Sequence, residues 1–222
     1  EHTMENERPA WLPNDESLRA MFGETVAYPY YRLRTTEYIA RLLPRSGACS
    51  IVDIGAGDGY LGAILERFRP ETSVVGLETH IRPLRRTDFK LAKFDGLAAP
   101  FADKSFDYAL LCNVLHHAGD QGALLREALR LARRGVIIKD HLADTRFQHF
   151  QLAVLDVLGN RRFGASTVGR YLSTDGWASL FHHAAARPVE QLVGLSFRQG
   201  LLRAVFRNRL EIMYVVAPAP AT

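Results

Sequence analysis

Cysteine and long apolar runs are both scarce in this sequence of 222 residues. The two cysteines, Cys49 and Cys112, each lie in or beside an apolar run typical of a buried strand, which indicates reduced thiols rather than a disulfide framework. No apolar run approaches the roughly 20 residues that a membrane helix requires, and the amino terminus lacks an apolar signal core. We therefore expect a cytoplasmic protein with no membrane partner.

An excess of one charge is also missing. The formal net charge is only +4, with a pI of about 9.2, and the arginines are dispersed along the chain. Nucleic-acid binding usually needs a stripe of positive charge, so we expect a nucleic-acid partner to be absent. The sequence contains neither a Cys-x-x-Cys pair nor an acidic cluster with ligand spacing, and it therefore predicts no metal site.

What the chain does contain is enough apolar sequence for one core, since 47% of its residues are hydrophobic. Buried strands are predicted at 50–54, 73–78, 89–94, 106–112 and 136–140, with helices at 60–68, 121–133 and 175–186 between and after them. Strands separated by helix-length segments pair in parallel through crossovers, which is typical of a doubly wound α/β sheet. Two last strands, at 189–197 and 211–217, are predicted to pair antiparallel at one edge.

The predicted organisation is an N-terminal helical arm at 4–46, followed by one domain at 47–217 with a helical insertion at about 141–174. The arm carries aromatic and apolar side chains that either cover the core or form a lid over a ligand, among them Trp11, Met21, Tyr28 and Tyr31. In the insertion, Asp156 and Asn160 are four positions apart and thus lie on one helical face. We expect the insertion to select the substrate, because loops at a functional edge vary while the scaffold positions them.

Residues 51–62 (IVDIGAGDGYLG) carry the strongest local signal. Glycines directly after a strand allow a tight turn and close backbone approach to a ligand, and the following helix start presents free N–H groups. A dinucleotide fingerprint is Gly-x-Gly-x-x-Gly, whereas this chain has Gly-x-Gly-x-Gly with Tyr60 at the position of the last glycine. The spacing therefore argues against a nicotinamide-dependent oxidoreductase, which stays an alternative.

Residues 52–59, together with the strand ends that follow, resemble the class I S-adenosylmethionine-dependent methyltransferases over roughly residues 50–140. The resemblance implies a Rossmann-like, mostly parallel seven-stranded sheet with an antiparallel last strand, with S-adenosylmethionine as cofactor and S-adenosylhomocysteine as product. Glu78, at the end of the second strand, is expected to accept hydrogen bonds from the ribose hydroxyls. Asp95 is expected to contact the adenine amine, although an Asp-Gly turn is an equal alternative. The cofactor residues so expected are Asp53, Gly55, Ala56, Gly57, Gly59, Glu78, Thr79, Asp95, Gly96, Asn113, Val114 and Tyr31.

Candidate catalytic residues follow the fourth and fifth strands, at the sheet edge where open α/β folds bind ligands. His116 and His117 form a Leu-His-His peptide that resembles many small-molecule methyltransferases, and Asp140 and His141 end the fifth strand. A histidine can act as a general base near neutral pH. Each of the four is alternatively a residue that packs against the cofactor or caps the insertion.

The function predicted from this resemblance is methyl transfer to a small-molecule acceptor, on oxygen or nitrogen, by a monomer or homodimer. A non-catalytic S-adenosylmethionine-binding protein with the same fold is one alternative. A nucleic-acid methyltransferase is another, but base amino-methylating members carry Asn/Asp-Pro-Pro-aromatic after the fourth strand, where this chain has Asn113-Val114-Leu115-His116.

Overall fold

The computed structural model describes residues 29–81, 89–160, 169–193, 195 and 210–220. The predicted arm before residue 29, including Trp11, Met21 and Tyr28, lies outside the described residues, as do residues 161–168 of the insertion. The boundaries 4–46 and 47–217 therefore stay predictions.

Five α-helices and seven strands are present in the described residues, together with a 3₁₀ turn at Leu115–His117. The helices are α1 (Pro29–Leu42), α2 (Tyr60–Phe68), α3 (Gln121–Leu131), α4 (Arg146–Asn160) and α5 (Thr174–His183), and the short 3₁₀ turn precedes α3. The strands are β1 (Cys49–Ile54), β2 (Thr72–Glu78), β3 (Leu91–Lys93), β4 (Phe106–Cys112), β5 (Ala132–His141), β6 (Ala186–Val193) and β7 (Glu211–Pro218).

The helices flank one seven-stranded sheet. Its strand order is β3-β2-β1-β4-β5-β7-β6. The neighbouring pairs from β3 to β5 are parallel, whereas β7 runs antiparallel to both β5 and β6. The predicted doubly wound, mostly parallel sheet with an antiparallel last strand is thereby confirmed. The carboxyl ends of β1, β2, β4 and β5 meet at one edge, and the candidate residues follow those ends.

Both faces of the sheet are covered, which explains why the strands read as continuous apolar runs. Successive side chains of a strand point to opposite faces, so Ile51 and Val52 enter different clusters. The cluster around Val52 contains residues of α3 and α5, and the cluster around Ile51 contains residues of α1 and α2. A third, small cluster joins α4 to Tyr171 and Leu210.

Several predicted boundaries are wrong. The helix predicted at 175–186 ends at His183, and the strand predicted at 189–197 already begins at Ala186. Two further differences have a clear physical reason. The third strand was expected at 89–94 but covers only Leu91–Lys93, because Phe89 instead packs against the first turn of α2, close to Gly59 and Gly62. The helix expected to reach residue 133 ends at Leu131, because Ala132 is already extended and pairs with Phe106 of β4. Tertiary pairing thus begins β5 earlier than the apolar pattern predicts.

In the part of the chain that the structure describes, no helix combines the length and apolarity needed to cross a membrane.

Candidate functional site

The glycine turn after β1 is held against the end of β2 by backbone hydrogen bonds. Gly55 N and Ala56 N both donate to Leu77 O, at 2.7 and 3.1 Å. Gly55 has a φ of 78°, and a Cβ added there would lie 2.5 Å from Cγ2 of Val114. Glycine is therefore required at this position on grounds of both backbone conformation and space. The predicted cofactor residues Gly55, Ala56 and Val114 are in this way brought together.

Gly59 begins α2 without a side-chain cap. Its φ is 75°, and a Cβ there would approach Cδ1 of Phe89 to 2.5 Å. Because the first N–H groups of a helix have no partners within the helix, the start of α2 presents donors beside the glycine turn.

Glu78 extends from the end of β2 into this turn, and its side chain is nearly buried. Oε2 accepts a hydrogen bond from Gly57 N at 2.8 Å, and Oε1 accepts from Thr79 N at 2.9 Å. The carboxylate therefore lies directly beside the glycine backbone, and its predicted contact with a ribose stays a prediction.

Asp53 lies one strand away, near the end of β1, and is only 2% exposed. Its Oδ1 atom has no hydrogen-bond partner among the described residues. Burial, reinforced by the nearby charges of Glu78 and Asp58, raises the pKa of Asp53 to about 7. A buried carboxylate oxygen without a donor is costly, and Glu78 is close enough for its charge to act on Asp53.

Asp95 and Gly96 follow β3 at the same edge. The exposed carboxylate of Asp95 accepts hydrogen bonds from Leu97 N at 2.8 Å and Ala98 N at 3.0 Å, and these bonds lower its pKa. A Cβ on Gly96 would lie 3.2 Å from Cγ2 of Thr79, so the ends of β3 and β2 are in contact. The Asp-Gly turn expected as one alternative is formed, and the contact with adenine stays a prediction.

A buried polar network connects α1 to the sheet. Lys139 of β5 is fully buried, and its Nζ donates to Oε2 of Glu211 at 2.5 Å, to Oδ1 of Asn113 at 2.6 Å and to the Tyr31 hydroxyl. Asn113 Nδ2 also donates to the Tyr31 hydroxyl, at 2.9 Å. Burial, opposed by the charge of Lys139, raises the pKa of Tyr31 to about 12. The positions of the Tyr31 and Asn113 side chains therefore depend on Lys139 as well as on the hydrogen bond between them.

The sequence did not predict that Lys139 and Glu211 form a buried ion pair at this site. Two features of the sequence could have indicated it: a lysine lies within the apolar run of β5, and a glutamate is the first residue of β7. Their pairing depends on β5 and β7 being antiparallel neighbours, which the sequence does not specify residue by residue.

His116 and Asp140 form a buried pair at the ends of β4 and β5. His116 Nδ1 and Asp140 Oδ1 are 2.5 Å apart, and His116 is 4% exposed. Asp140 Oδ1 also accepts from His141 N at 2.8 Å. Burial works against the charged forms, yet the mutual attraction outweighs it. It raises the pKa of His116 and lowers that of Asp140 to about 2.

His117 and His141 lie on either side of that pair. The His117 ring is exposed and lies 4.0 Å from the His116 ring, measured between centroids. Burial of its inner part and the neighbouring charge of His116 lower the pKa of His117. His141 is buried, with Nδ1 3.3 Å from Oε2 of Glu211. Of the four catalytic candidates, His117 alone is exposed.

The insertion closes over this edge. Asp156 of α4 accepts hydrogen bonds through Oδ2 from the Tyr171 hydroxyl and from Gly169 N, the latter at 3.4 Å. The same oxygen lies 3.8 Å from His116 Nε2. Gly169 covers the His116 ring so closely that a Cβ there would come within 2.4 Å of Cδ2. Asp156 therefore belongs to the site, a role that the sequence did not assign to it.

Helix α1 also contacts the glycine turn. Arg32 forms a salt bridge with Asp58 at 2.8 Å, and its guanidinium lies 5.0 Å from the centroid of the Tyr60 ring. These contacts hold α1 against the turn and the start of α2.

The similarity of this chain to a known protein family lies in the same region, from β1 to β5. A family model described as a methyltransferase domain matches residues 52–138. A demethylmenaquinone methyltransferase from Corynebacterium kroppenstedtii is 37% identical over 98 residues, covering 43% of this chain and 42% of that protein. A 27-O-demethylrifamycin SV methyltransferase from Amycolatopsis mediterranei is 27% identical over 139 residues, covering 53% of this chain and 51% of that protein. The chain thus spans about half the length, or less, of these curated relatives.

Among solved structures, a chain from the complex of the Haloferax volcanii Trm112 methyltransferase activator with a methyltransferase superposes with a TM-score of 0.67. The match covers 93% of this chain and 99% of that one at 14% identity. At this identity the likeness concerns the fold alone.

Proposed function

Because a methyltransferase-domain model matches residues 52–138 and the curated relatives are methyltransferases, we propose that the chain is a class I S-adenosylmethionine-dependent methyltransferase. In this proposal it transfers the methyl group of S-adenosylmethionine to a small-molecule acceptor and leaves S-adenosylhomocysteine. The observation that carries the proposal is the juxtaposition of Glu78 and Asp53 with the glycine turn. The names of two relatives, which act on demethylmenaquinone and on 27-O-demethylrifamycin SV, favour a small organic acceptor.

The residues at the turn fit such a cofactor. The Oδ1 atom of Asp53 is buried and has no partner in the described chain, so a donor on a bound ligand would satisfy it. Side chains are excluded at Gly55 and Gly59 by Val114 and Phe89, which leaves backbone as the contact surface. The turn therefore offers a buried carboxylate oxygen that lacks a donor, together with backbone that no side chain covers. These features suit an extended ligand that carries hydrogen-bond donors.

In the proposed complex, Glu78 accepts hydrogen bonds from the ribose hydroxyls, and Asp53, Gly55, Ala56, Gly57 and Gly59 line the methionine part. Thr79, Asp95 and Gly96 surround the adenine, while Asn113, Val114 and Tyr31 close the opposite side. When bound, S-adenosylmethionine supplies a methyl group already activated on a sulfonium. The protein then needs mainly to align the acceptor and to exclude water, and alignment alone can contribute about 7–11 kcal/mol.

We place the acceptor at the ends of β4 and β5. His117 is the exposed candidate there, whereas His116, Asp140 and His141 are buried behind it. The buried pair of His116 and Asp140 holds the peptide that carries His117, since Asp140 Oδ2 also lies 3.4 Å from His116 N. Tyr171 and Asp156 of α4 lie beside His116, so the insertion is positioned to select the acceptor.

The test is calorimetric titration of S-adenosylhomocysteine into wild-type protein, Glu78→Gln and the control Glu190→Gln. Glu190 is an exposed glutamate on β6 and lies outside the site. A hydrogen bond to a charged group contributes about 1.5–3 kcal/mol, so Glu78→Gln should weaken binding by roughly tenfold or more. The control should bind like wild type. Absence of binding to wild-type protein would overturn the proposed function, and equal affinity of Glu78→Gln would remove Glu78 from the site.

A further inference from the structure

We propose that His116, His117 and Asp156 form a binding site for a divalent transition-metal ion beside the acceptor space. The proposal rests partly on the proposed function, because the acceptor space is defined by it. The site itself is defined by side chains alone and can be tested without any methyl transfer.

The three side chains already converge. One potential ligand atom from each of them lies within 4.8 Å of the others, and His116 Nε2 is 3.8 Å from Asp156 Oδ2. Ligands of a bound ion are closer together than this, since metal–nitrogen and metal–oxygen bonds are about 2.0–2.2 Å long. Small rotations of the exposed His117 and the half-buried Asp156 would close the gap, while His116 stays fixed.

His116 is held in the way that metal-binding histidines are held. Its Nδ1 atom faces the carboxylate of Asp140 at 2.5 Å, so Nε2 is the atom directed at the proposed ion. A carboxylate on the far nitrogen fixes both the tautomer and the orientation of a ligating imidazole and increases its basicity. Asp156 also has outer partners, because its Oδ2 atom accepts hydrogen bonds from the Tyr171 hydroxyl and from Gly169 N. Two of the three ligands thus have outer partners in place.

The donor set indicates the class of ion. Two imidazoles and one carboxylate suit zinc, cobalt, nickel, iron(II) or manganese, whereas magnesium and calcium prefer oxygen ligands. Three protein ligands leave at least one coordination position open. Because His117 is exposed, an acceptor with a hydroxyl or phenolic oxygen would be able to approach the open position of such an ion. A metal ion at this place would therefore favour oxygen-bearing acceptors.

The sequence predicted no metal site because its ligands are not close in the chain. His116 and His117 follow β4, whereas Asp156 comes from the helical insertion after β5. Only the return of α4 over the edge of the sheet brings the carboxylate to the histidines.

The test uses tag-free protein freed of metal by a chelator, titrated with cobalt(II) and with zinc(II) and followed by calorimetry and by cobalt d–d absorption. Wild-type protein should bind a single ion per chain, with absorption typical of nitrogen and oxygen ligands. His117→Ala and Asp156→Asn should each weaken binding by more than the roughly 10–100-fold that loss of an outer partner costs. Asp140→Asn should fall within that smaller range.

The matched control is His182→Ala/His183→Ala, which removes the other adjacent histidine pair, at the end of α5. This variant should bind cobalt like wild type. Binding that disappears in the control but persists in His117→Ala would assign the ion to the surface pair and overturn the proposal, as would the lack of saturable binding by wild-type protein. Either outcome would mean that His116 contacts Asp140 and Asp156 without binding a metal ion. Since S-adenosylhomocysteine binding is measured separately, either proposal can fail alone.

Discussion

At the scale of single residues, the buried acid Asp53 makes folding stability depend on pH. Its pKa is raised from 3.8 to about 7, so the native protein binds more protons than the unfolded chain between these values. Stability contributed by Asp53 is therefore present at low pH and lost as the pH rises toward 7. The loss is at most about 4 kcal/mol, because each pKa unit corresponds to about 1.4 kcal/mol.

We accordingly expect Asp53→Asn to gain stability relative to wild type as the pH is raised from 5 to 8, in protein free of ligand. Urea unfolding at the two pH values measures the difference. Asp103→Asn is the control, since the side chain of Asp103 is 74% exposed. A constant offset between Asp53→Asn and wild type at both pH values would contradict the expectation.

Gly59 provides a second prediction at this scale. Alanine there must adopt a φ near 75° and meets the Phe89 ring, so Gly59→Ala should destabilise the protein by more than about 1 kcal/mol and weaken S-adenosylhomocysteine binding. Gly119→Ala is the matched control because no atom lies within 4 Å of its added Cβ. Thermal unfolding and calorimetry of the two variants give the comparison, and equal behaviour would show that the turn tolerates side chains.

At the scale of elements, the ion pair of Lys139 and Glu211 joins β5 to β7. Lys139 also donates a hydrogen bond to Tyr31 of α1. Both charged side chains are buried, so removing one leaves the other charge buried without its partner. We expect Lys139→Met to cost about 3–5 kcal/mol in urea unfolding. Replacing both residues, as in Lys139→Met/Glu211→Leu, should restore much of that loss, because a well-packed apolar pair has no charge to desolvate.

Arg133→Met, on the same strand, is the control for this experiment. Its side chain is 52% exposed and pairs with Asp107 at 3.2 Å, so its loss should cost less than about 1 kcal/mol. A double variant no more stable than Lys139→Met would mean that the polar network, rather than charge compensation, holds these elements together.

At the scale of the whole molecule, the sheet runs without interruption from β3 to β6, and its two faces form cores that share every central strand. Unfolding one face would expose the other. We therefore expect a single cooperative transition, with far-UV circular dichroism and the fluorescence of Trp177 coinciding in urea. Trp177 is 2% exposed in the core beneath α5.

The fluorescence signal is assigned by measuring Trp11→Phe, which leaves Trp177 as the remaining tryptophan of the two in the sequence. A fluorescence midpoint clearly separated from the circular dichroism midpoint would show that the α5 side unfolds independently. It would also argue against the single domain predicted at 47–217.

The sequence alone determined the sheet and the glycine turn. Apolar runs separated by helix-length segments permit few topologies, and a glycine at a positive φ leaves a direct trace in the chain because few other residues can replace it. Glu78 lies about 20 residues after the glycine turn in the sequence and contacts it in the structure, while its role in cofactor binding stays a prediction.

Only the tertiary structure decided which side chains meet across the edge of the sheet. Lys139 with Glu211, and Asp156 with His116, are contacts between segments far apart in the chain. Their formation depends on strand register and on where α4 packs against the turn that follows β4. Side-chain chemistry identifies what each residue can do, but a hydrogen bond or a ligand set acts only over a few ångströms. Those distances are fixed by packing, which local sequence patterns do not encode.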